Sequence, residues 1–357
     1  MAEPLRPTPT EIRRLRGLRP EMRERDFARI HGLTEAELVA AWVGAENTLG
    51  HAVTALRPDV EAFLEAAPAL GEVMALTRNE SAVHEKIGPF EEVKYSPHAS
   101  LALGDQIDLR IFPRHWVHAF AVEKTDKDGT LRRSIQFFDA AGDASFKLHA
   151  RPATDLAAWA GLVGSLTHPQ QSDAIATETL PSESESLEAA SPEELRARWE
   201  QMTDTHQFFP MLRELKLTRR QALHRIDSYY AWQLDPSAQH ALFSGAVEIQ
   251  VPIMVFVGSR GCIQIHSAPI TNIATMGPWL NIMDPTFHLH LRLDQIAELW
   301  AVRKPTKDGH VTSVEALGAD GQLIIQCFGQ RHEGVDERPA WRALVESLPL
   351  LTRSDAA

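Results

Sequence analysis

From Thr10 to about Leu70 the apolar positions recur at helical spacing. One stretch, Leu33-Thr-Glu-Ala-Glu-Leu-Val-Ala-Ala41, carries its own start signal, with Thr34 as N-cap and acidic residues in the first turn. From Val73 to about His149 the pattern changes to short alternating runs rich in β-formers. Ile107-Asp-Leu-Arg-Ile-Phe112 and Ser134-Ile-Gln-Phe-Phe138 are two of them, and Lys127-Asp-Gly129 and Ala141-Gly-Asp143 supply turns between such runs. Asp155 to Leu166 returns to helical spacing. After a break the order recurs: a helix start at Ser191-Pro-Glu-Glu194, helices to about Gly245, strands from Glu248, and a last helix over roughly Arg338–Leu348. Helices followed by a meandering antiparallel sheet and a closing helix predict an α+β fold in each half.

The recurrence extends to the residues themselves. Phe120-Ala-Val-Glu-Lys-Thr-Asp-Lys-Asp-Gly129 comes back 180 positions later as Trp300-Ala-Val-Arg-Lys-Pro-Thr-Lys-Asp-Gly309. At the same offset Ile107-Asp-Leu-Arg110 faces Phe287-His-Leu-His290. Copies of this length predict a duplicated, pseudo-two-fold related domain rather than a solenoid. The boundaries are a first repeat over 10–166, a linker over 167–190 and a second repeat over 191–350. Ser182-Glu-Ser-Glu-Ser-Leu-Glu188 is acidic, Ser-rich and without apolar periodicity, and reads as a mobile connection.

At 357 residues the chain is long enough for two cores. Its net charge of −12 argues against general nucleic-acid binding, though not against a local basic pocket. Met1-Ala-Glu-Pro-Leu-Arg-Pro7 lacks the apolar centre of a signal peptide, and no apolar run approaches the roughly 20 residues of a membrane span. Cys262 and Cys327 sit in alternating apolar stretches and read as buried free thiols, consistent with a reducing cytoplasm.

The chain carries no glycine-rich phosphate loop, no HExxH, no Cys-x-x-Cys and no Gly-x-Ser-x-Gly. Gly258-Ser-Arg-Gly261 reads as a hairpin turn. His288 and His290 share one face of a strand, without an evident third ligand, and His115 and His118 carry an equally weak signal. His206 in Asp204-Thr-His-Gln-Phe-Phe209 stands out. Asp204 is placed to cap, and Pro210 removes the helical hydrogen bond to the His206 carbonyl. Either the turn bearing His206 is loosened or the helix starts only near Pro210, and both leave this imidazole accessible. Arg110, Arg219, Lys304 and Arg331 lie in or beside otherwise apolar segments, where a cation needs a partner. Pairing with the chain's own carboxylates and binding of a small dianion are both open at this level.

These residues also carry a resemblance. Leu76-Thr-Arg-Asn-Glu-Ser-Ala-Val-His-Glu85, Ile107–Phe112, Ser134–Asp139, Asp204–Phe209, Ile253–Ile265, Trp279–Ile282 and Val302–Gly309 together resemble the HemS/ChuS family of bacterial haemin transport and degradation proteins. The likeness covers nearly the whole chain. It implies one haem b per chain, held mainly by the second repeat, with His206 as the axial ligand of the iron. Arg110 takes the distal position, a catalytic role. Arg219, Lys304 and Arg331 hold the propionates or line the pocket, and Phe256, Gln326 and Phe328 fill further pocket positions. Family members often have Tyr where this chain has Phe328, and some carry a second His where this chain has Phe209. His84 matches a position linked with a secondary haem contact.

The implied function is cytoplasmic haem binding in iron acquisition. Delivery and oxidative opening of the macrocycle share one pocket, and the latter needs an electron donor the sequence does not name. A haem importer or a haem oxygenase is the implied partner, and either a monomer or a homodimer is compatible. Without the resemblance, the reading is a carrier of some other apolar anion.

Overall fold

The computed structural model describes residues 6–45, 50–180, 189–331 and 336–351. The centre of the expected linker, 181–188, lies outside them. The first repeat runs α1 (Pro9–Gly17), α2 (Glu24–Ile30), α3 (Glu35–Ala40), β1 (His51–Leu56), α4 (Val60–Ala66), β2 (Gly71–Arg78), β3 (Ala82–Gly88), β4 (Glu92–Lys94), β5 (Ser100–Leu103), β6 (Asp108–Ile111), β7 (His118–Thr125), β8 (Leu131–Phe138), β9 (Ala144–Thr154) and α5 (Leu156–Leu166). The second runs α6 (Pro192–Glu200), α7 (Phe208–Glu214), α8 (Arg219–Arg225), β10 (Ala231–Leu234), α9 (Ala238–Glu248), β11 (Ile253–Gly258), β12 (Cys262–Ala268), β13 (Ile273–Met276), β14 (Trp279–Met283), β15 (Phe287–Arg292), β16 (Glu298–Thr306), β17 (Gly309–Leu317), β18 (Leu323–Gly329) and α10 (Pro339–Glu346). The fold is α+β and duplicated, as the pattern predicts.

The predicted starts hold at the caps. Thr34 accepts from the Glu37 N–H at 3.1 Å, Asp155 caps α5, and Ser191 accepts from the Glu194 N–H at 3.2 Å. Two corrections concern the predicted helical stretches. β1 interrupts the first and β10 the second. Both strands are short, and their pairing with β7 and β16 is long-range, so local periodicity does not reveal them.

The chain divides into two compact units. Unit 1 takes in the chain up to Arg78, Glu85–Leu180 and the turn segment Gly258–Gln264. Unit 2 takes in Asn79–His84, the chain from the linker to Val257, and Ile265 onward. In unit 1 the antiparallel order is β1-β7-β8-β9-β2, with a second ladder β4-β5-β6. In unit 2 it is β10-β16-β17-β18-β11, with β13-β14-β15.

Both faces of each large ladder are covered, so alternate residues enter different cores. In unit 1, Ala119, Ile135 and Phe137 pack with α4 and α5, whereas Phe120, Val122 and Phe138 pack with α3. In unit 2, Leu299, Ala301 and Val314 pack with α9 and α10, whereas Trp300, Val302 and Leu317 pack with α6, α7 and α8. Each fully buried Phe or Leu contributes about 1.5–3 kcal/mol of transfer free energy.

Gly258–Ser259–Arg260–Gly261 is the expected turn between β11 and β12. In unit 1 the Gly261 carbonyl accepts from the Phe112 N–H at 3.0 Å and from Trp116 Nε1 at 2.9 Å. A Cβ on Gly261 would stand 2.6 Å from Ser145 Cβ, so only glycine fits there. Unit 2 holds Asn79–His84 as firmly. Asn79 Nδ2 donates to the Ile324 carbonyl at 2.8 Å, and the Ser81 carbonyl accepts from the Arg292 N–H at 2.8 Å.

Candidate functional site

The face of the unit 2 ladder turned toward α6, α7 and α8 is set by register. Trp300 pairs with Glu315, Val302 with Ser313, Glu315 with Gln326, Ser313 with Phe328, and Phe256 with Gln326. Directly paired residues share a face, and the face repeats every second residue. Lys304, Ser313, Glu315, Gln326, Phe328 and Phe256 therefore lie on one surface. The Phe256 and Phe328 rings meet edge to face with centroids 5.0 Å apart.

A turn of 3-10 helix, Thr205–Gln207, presents His206. The Asp204 carboxylate accepts from the His206 N–H at 2.7 Å. Gln207 Oε1 accepts from the Thr203 N–H at 2.8 Å and the Asp204 N–H at 3.3 Å, which closes a capping box. The Lys307 N–H donates to the Thr203 carbonyl at 2.9 Å and ties the turn to the β16–β17 hairpin. α7 starts at Phe208, so Pro210 falls in its first turn, where its missing N–H costs nothing. The loosened turn and the fresh helix start expected around Pro210 thus occur together.

The His206 side chain is 93% exposed. Its Nδ1 lies 2.7 Å from Asp204 Oδ1. An ionised carboxylate only accepts, so Nδ1 carries the proton and Nε2 offers its lone pair outward. The His206 backbone N–H, joined by the imidazole and the Arg331 guanidinium, holds the Asp204 carboxyl below its usual range, with burial as the main opposing effect. Arg331 and His206 thus share the neighbourhood of Asp204.

Beneath this turn lies a buried ion cluster. Glu315 is 0% exposed; Arg219 and Lys304, at 7% and 4%, both pair with it. Arg219 Nη1 donates to Glu315 Oε2. Glu315 Oε1 accepts from Lys304 Nζ at 2.5 Å, Ser313 Oγ at 2.8 Å and Gln326 Nε2 at 2.9 Å. Burial alone would raise the Glu315 carboxyl, but Arg219 and Lys304 outweigh it and hold it far below its usual range. Burial pulls the Lys304 ammonium down, with Glu315 opposing. The buried Phe208 ring covers both cations, 4.5 Å from Lys304 Nζ and 5.1 Å from Arg219 Cζ. The half-exposed Phe209 lies 4.9 Å from Arg219 Cζ.

The model of the haemin-degrading HemS/ChuX domain matches twice, over residues 32–166 and 216–348. The chain belongs to the HemS/ChuX family. It is 39% identical over 325 residues to the haemin transport protein HmuS of Yersinia pestis, which covers 91% of this chain and 92% of that protein. Among solved structures it is similar to holo-PhuS, a haem-binding protein of Pseudomonas aeruginosa. There the TM-score is 0.90 and the identity 41%, over 97% of this chain and 100% of that one. It is similar also to the haem-degrading enzyme ChuS of Escherichia coli O157:H7, with a TM-score of 0.87 and 36% identity over 95% of this chain and 98% of that one.

Set beside the HemS/ChuX expectations, the structure groups the named residues. Arg219, Lys304 and Gln326 converge on Glu315; Phe256 and Phe328 form an aromatic pair beside Gln326; His206 bonds to Asp204, whose charge Arg331 also feels. Arg110 belongs to unit 1, on β6, where Asp108 pairs with its guanidinium and the Leu109 carbonyl accepts from it at 3.2 Å. His84 is in the core of unit 2, 0% exposed, with Nε2 3.2 Å from the Val255 carbonyl and its ring 4.9 Å from Phe287. His288 and His290 share a half-buried face of β15, and His290 Nδ1 lies 2.6 Å from Asn281 Oδ1. Among the described residues no group of three or more His, Cys, Asp or Glu is arranged to hold a metal ion. Nor is any helix among them long and apolar enough to cross a membrane.

Sequence reasoning about a pocket for a dianion overlooked Glu315 and Phe208. Glu315 was visible as the lone carboxylate in the apolar run Val314–Leu317, where a buried charge demands partners.

The equivalent face of unit 1 holds different chemistry. Gln136 pairs with Lys147, as Glu315 pairs with Gln326. Gln136 Nε2 donates to Ser134 Oγ at 3.0 Å. Lys124, the counterpart of Lys304, donates to Glu24 of α2 at 3.0 Å, and Lys147 lies 3.6 Å from Glu35 of α3, which also pairs with Arg78.

Proposed function

We propose that this protein binds one haem b through His206 in the cytoplasm, taking it over after import and delivering or oxidatively opening it. One observation carries the reading: an exposed imidazole whose Nδ1 is fixed by Asp204, leaving Nε2 as a preorganised donor for haem iron. The other residues fit the same ligand. Phe256 and Phe328 offer an apolar wall, and Gln326 and Arg331 offer donors to propionates. Arg219 and Lys304 add positive potential but give donors to Glu315, so a propionate reaching them has to share that carboxylate's partners. Phe328 presents no hydroxyl, which leaves the aromatic wall without a polar contact of its own. Bound haem supplies the iron at which oxygen chemistry takes place. A haem importer or a haem oxygenase is the partner expected on either side of delivery.

The test is an absorption titration of the protein with haemin, wild type beside His206→Ala. The expected result is a sharp Soret band saturating at one haem per chain, weakened and shifted in the variant. A band identical in both proteins would remove His206 from the role. Degradation is separated from carriage by adding a reductant in air with catalase present. Breakdown that persists marks an enzyme, and breakdown abolished by catalase marks coupled oxidation of a carried haem. Arg110→Ala is expected to leave haemin affinity within a few-fold and to change the rate of that breakdown.

A further inference from the structure

We propose that Glu315 is a positioning residue for His206, acting through Arg219, Lys304 and Phe208; this rests on the haem reading above. Four side chains donate to this one carboxylate, two of them cationic. The arrangement fixes where the two positive charges stand. Those charges lie against the Phe208 ring, which is buried and packs edge to face on Trp199 with centroids 5.1 Å apart. Phe208 opens α7, two residues after His206, and its N–H donates back to the Thr205 carbonyl. A chain of direct contacts therefore runs from Glu315 through the cations to Phe208 and the turn that presents the imidazole. His206 itself is too exposed to be held by packing, so its orientation depends on Asp204 and on the seat of Phe208. Glu315, Arg219 and Lys304 are too deeply buried for their first task to be meeting a ligand from solvent. Asp204 is the direct outer partner of the imidazole, and Glu315 acts one step further back, on the turn that carries it.

The competing view is that Glu315 merely occupies the cations until ligand carboxylates displace it. The two views predict opposite signs. Haemin is titrated into wild type, Glu315→Gln and Phe208→Leu, following affinity and the ferric spin-state bands together. If Glu315 positions the turn, Glu315→Gln weakens haemin binding by about tenfold or more and mixes high- and low-spin bands. Phe208→Leu, which leaves the ion cluster intact, does the same to a smaller degree. Tighter binding by Glu315→Gln overturns the proposal, because the carboxylate would then be a competitor. A wild-type spectrum in both variants overturns it too. If Glu315→Gln does not fold, Phe208→Leu decides alone. A wild type that binds no haemin removes the haem reading itself, and this proposal with it.

Discussion

The two units share one lysine position, Lys124 on β7 and Lys304 on β16, and neutralise it from opposite sides. In unit 2 the counter-charge comes from the sheet, as Glu315 on β17. In unit 1 the β8 position is the uncharged Gln136, and the counter-charges come from the helices, as Glu24 and Glu35. The difference decides what the helical layer can do. Where helices carry the carboxylates, they are held to the sheet by charge, as α2 and α3 are. Where the sheet supplies its own, the helical layer packs on it through apolar and aromatic side chains, with Arg219 as its contribution to the ion cluster, and presents the His206 turn to solvent. A duplicated fold has thus kept one frame and divided its electrostatics.

The largest expected effect contrasts the two schemes directly. Glu315→Ala strands two buried cations and is expected to lower stability by about 3–5 kcal/mol. Glu35→Ala takes a partner from Arg78 and Lys147, but these are less deeply buried than Arg219 and Lys304 and Glu24 still acts on Lys147, so it is expected to cost less. Urea unfolding of both variants measures the gap, and equal losses would break the contrast.

Acid should separate the units next. His51 and His149 of unit 1 are pushed down to about 4. Burial is the main cause for both, with Lys124 adding to it at His51 and Lys147 at His149, and Glu24 opposing at each. A group with a lowered pKa in the fold is neutral there while the unfolded chain takes up its proton. The stability it contributes is complete above about pH 6.5 and is lost as pH falls toward 4. Glu24, at about 2, is a carboxylate with lowered pKa, and its contribution is lost only below about pH 4.5. Hydrogen exchange at pH 7, 5.5 and 4.5 is therefore expected to show β1 and β9 losing protection before β18, whereas β17 carries His310, itself lowered by burial. Simultaneous loss would count against this order.

The smallest effect sharpens the picture of Glu315. Ser313→Ala removes one of its four donors and is expected to cost about 1 kcal/mol, read from the unfolding midpoint, with haemin affinity little changed.

Much of this was legible in the chain. The repeat offset already aligned Arg110 with His290, and the strand register agrees, since Leu101 pairs with Arg110 as Asn281 pairs with His290. Thr34, Asp155 and Ser191 marked helix starts because capping is a local hydrogen bond between near neighbours. Asp204 and Pro210 announced an irregular turn for the same reason. What stayed hidden was non-local. β1 and β10 are strands only because β7 and β16 offer edges. The role of Arg219 depends on Glu315, 96 positions away, and no spacing rule reaches so far.

The turn segments Asn79–His84 and Gly258–Gln264 have one more implication, for history. Each is encoded in one repeat and counted in the unit built from the other. After a gene doubles, either copy can ordinarily be discarded. Here removing one copy would also excise a piece of what remained, leaving Trp116 or Ile324 without its partner. The exchange makes neither repeat complete without a segment that the other encodes.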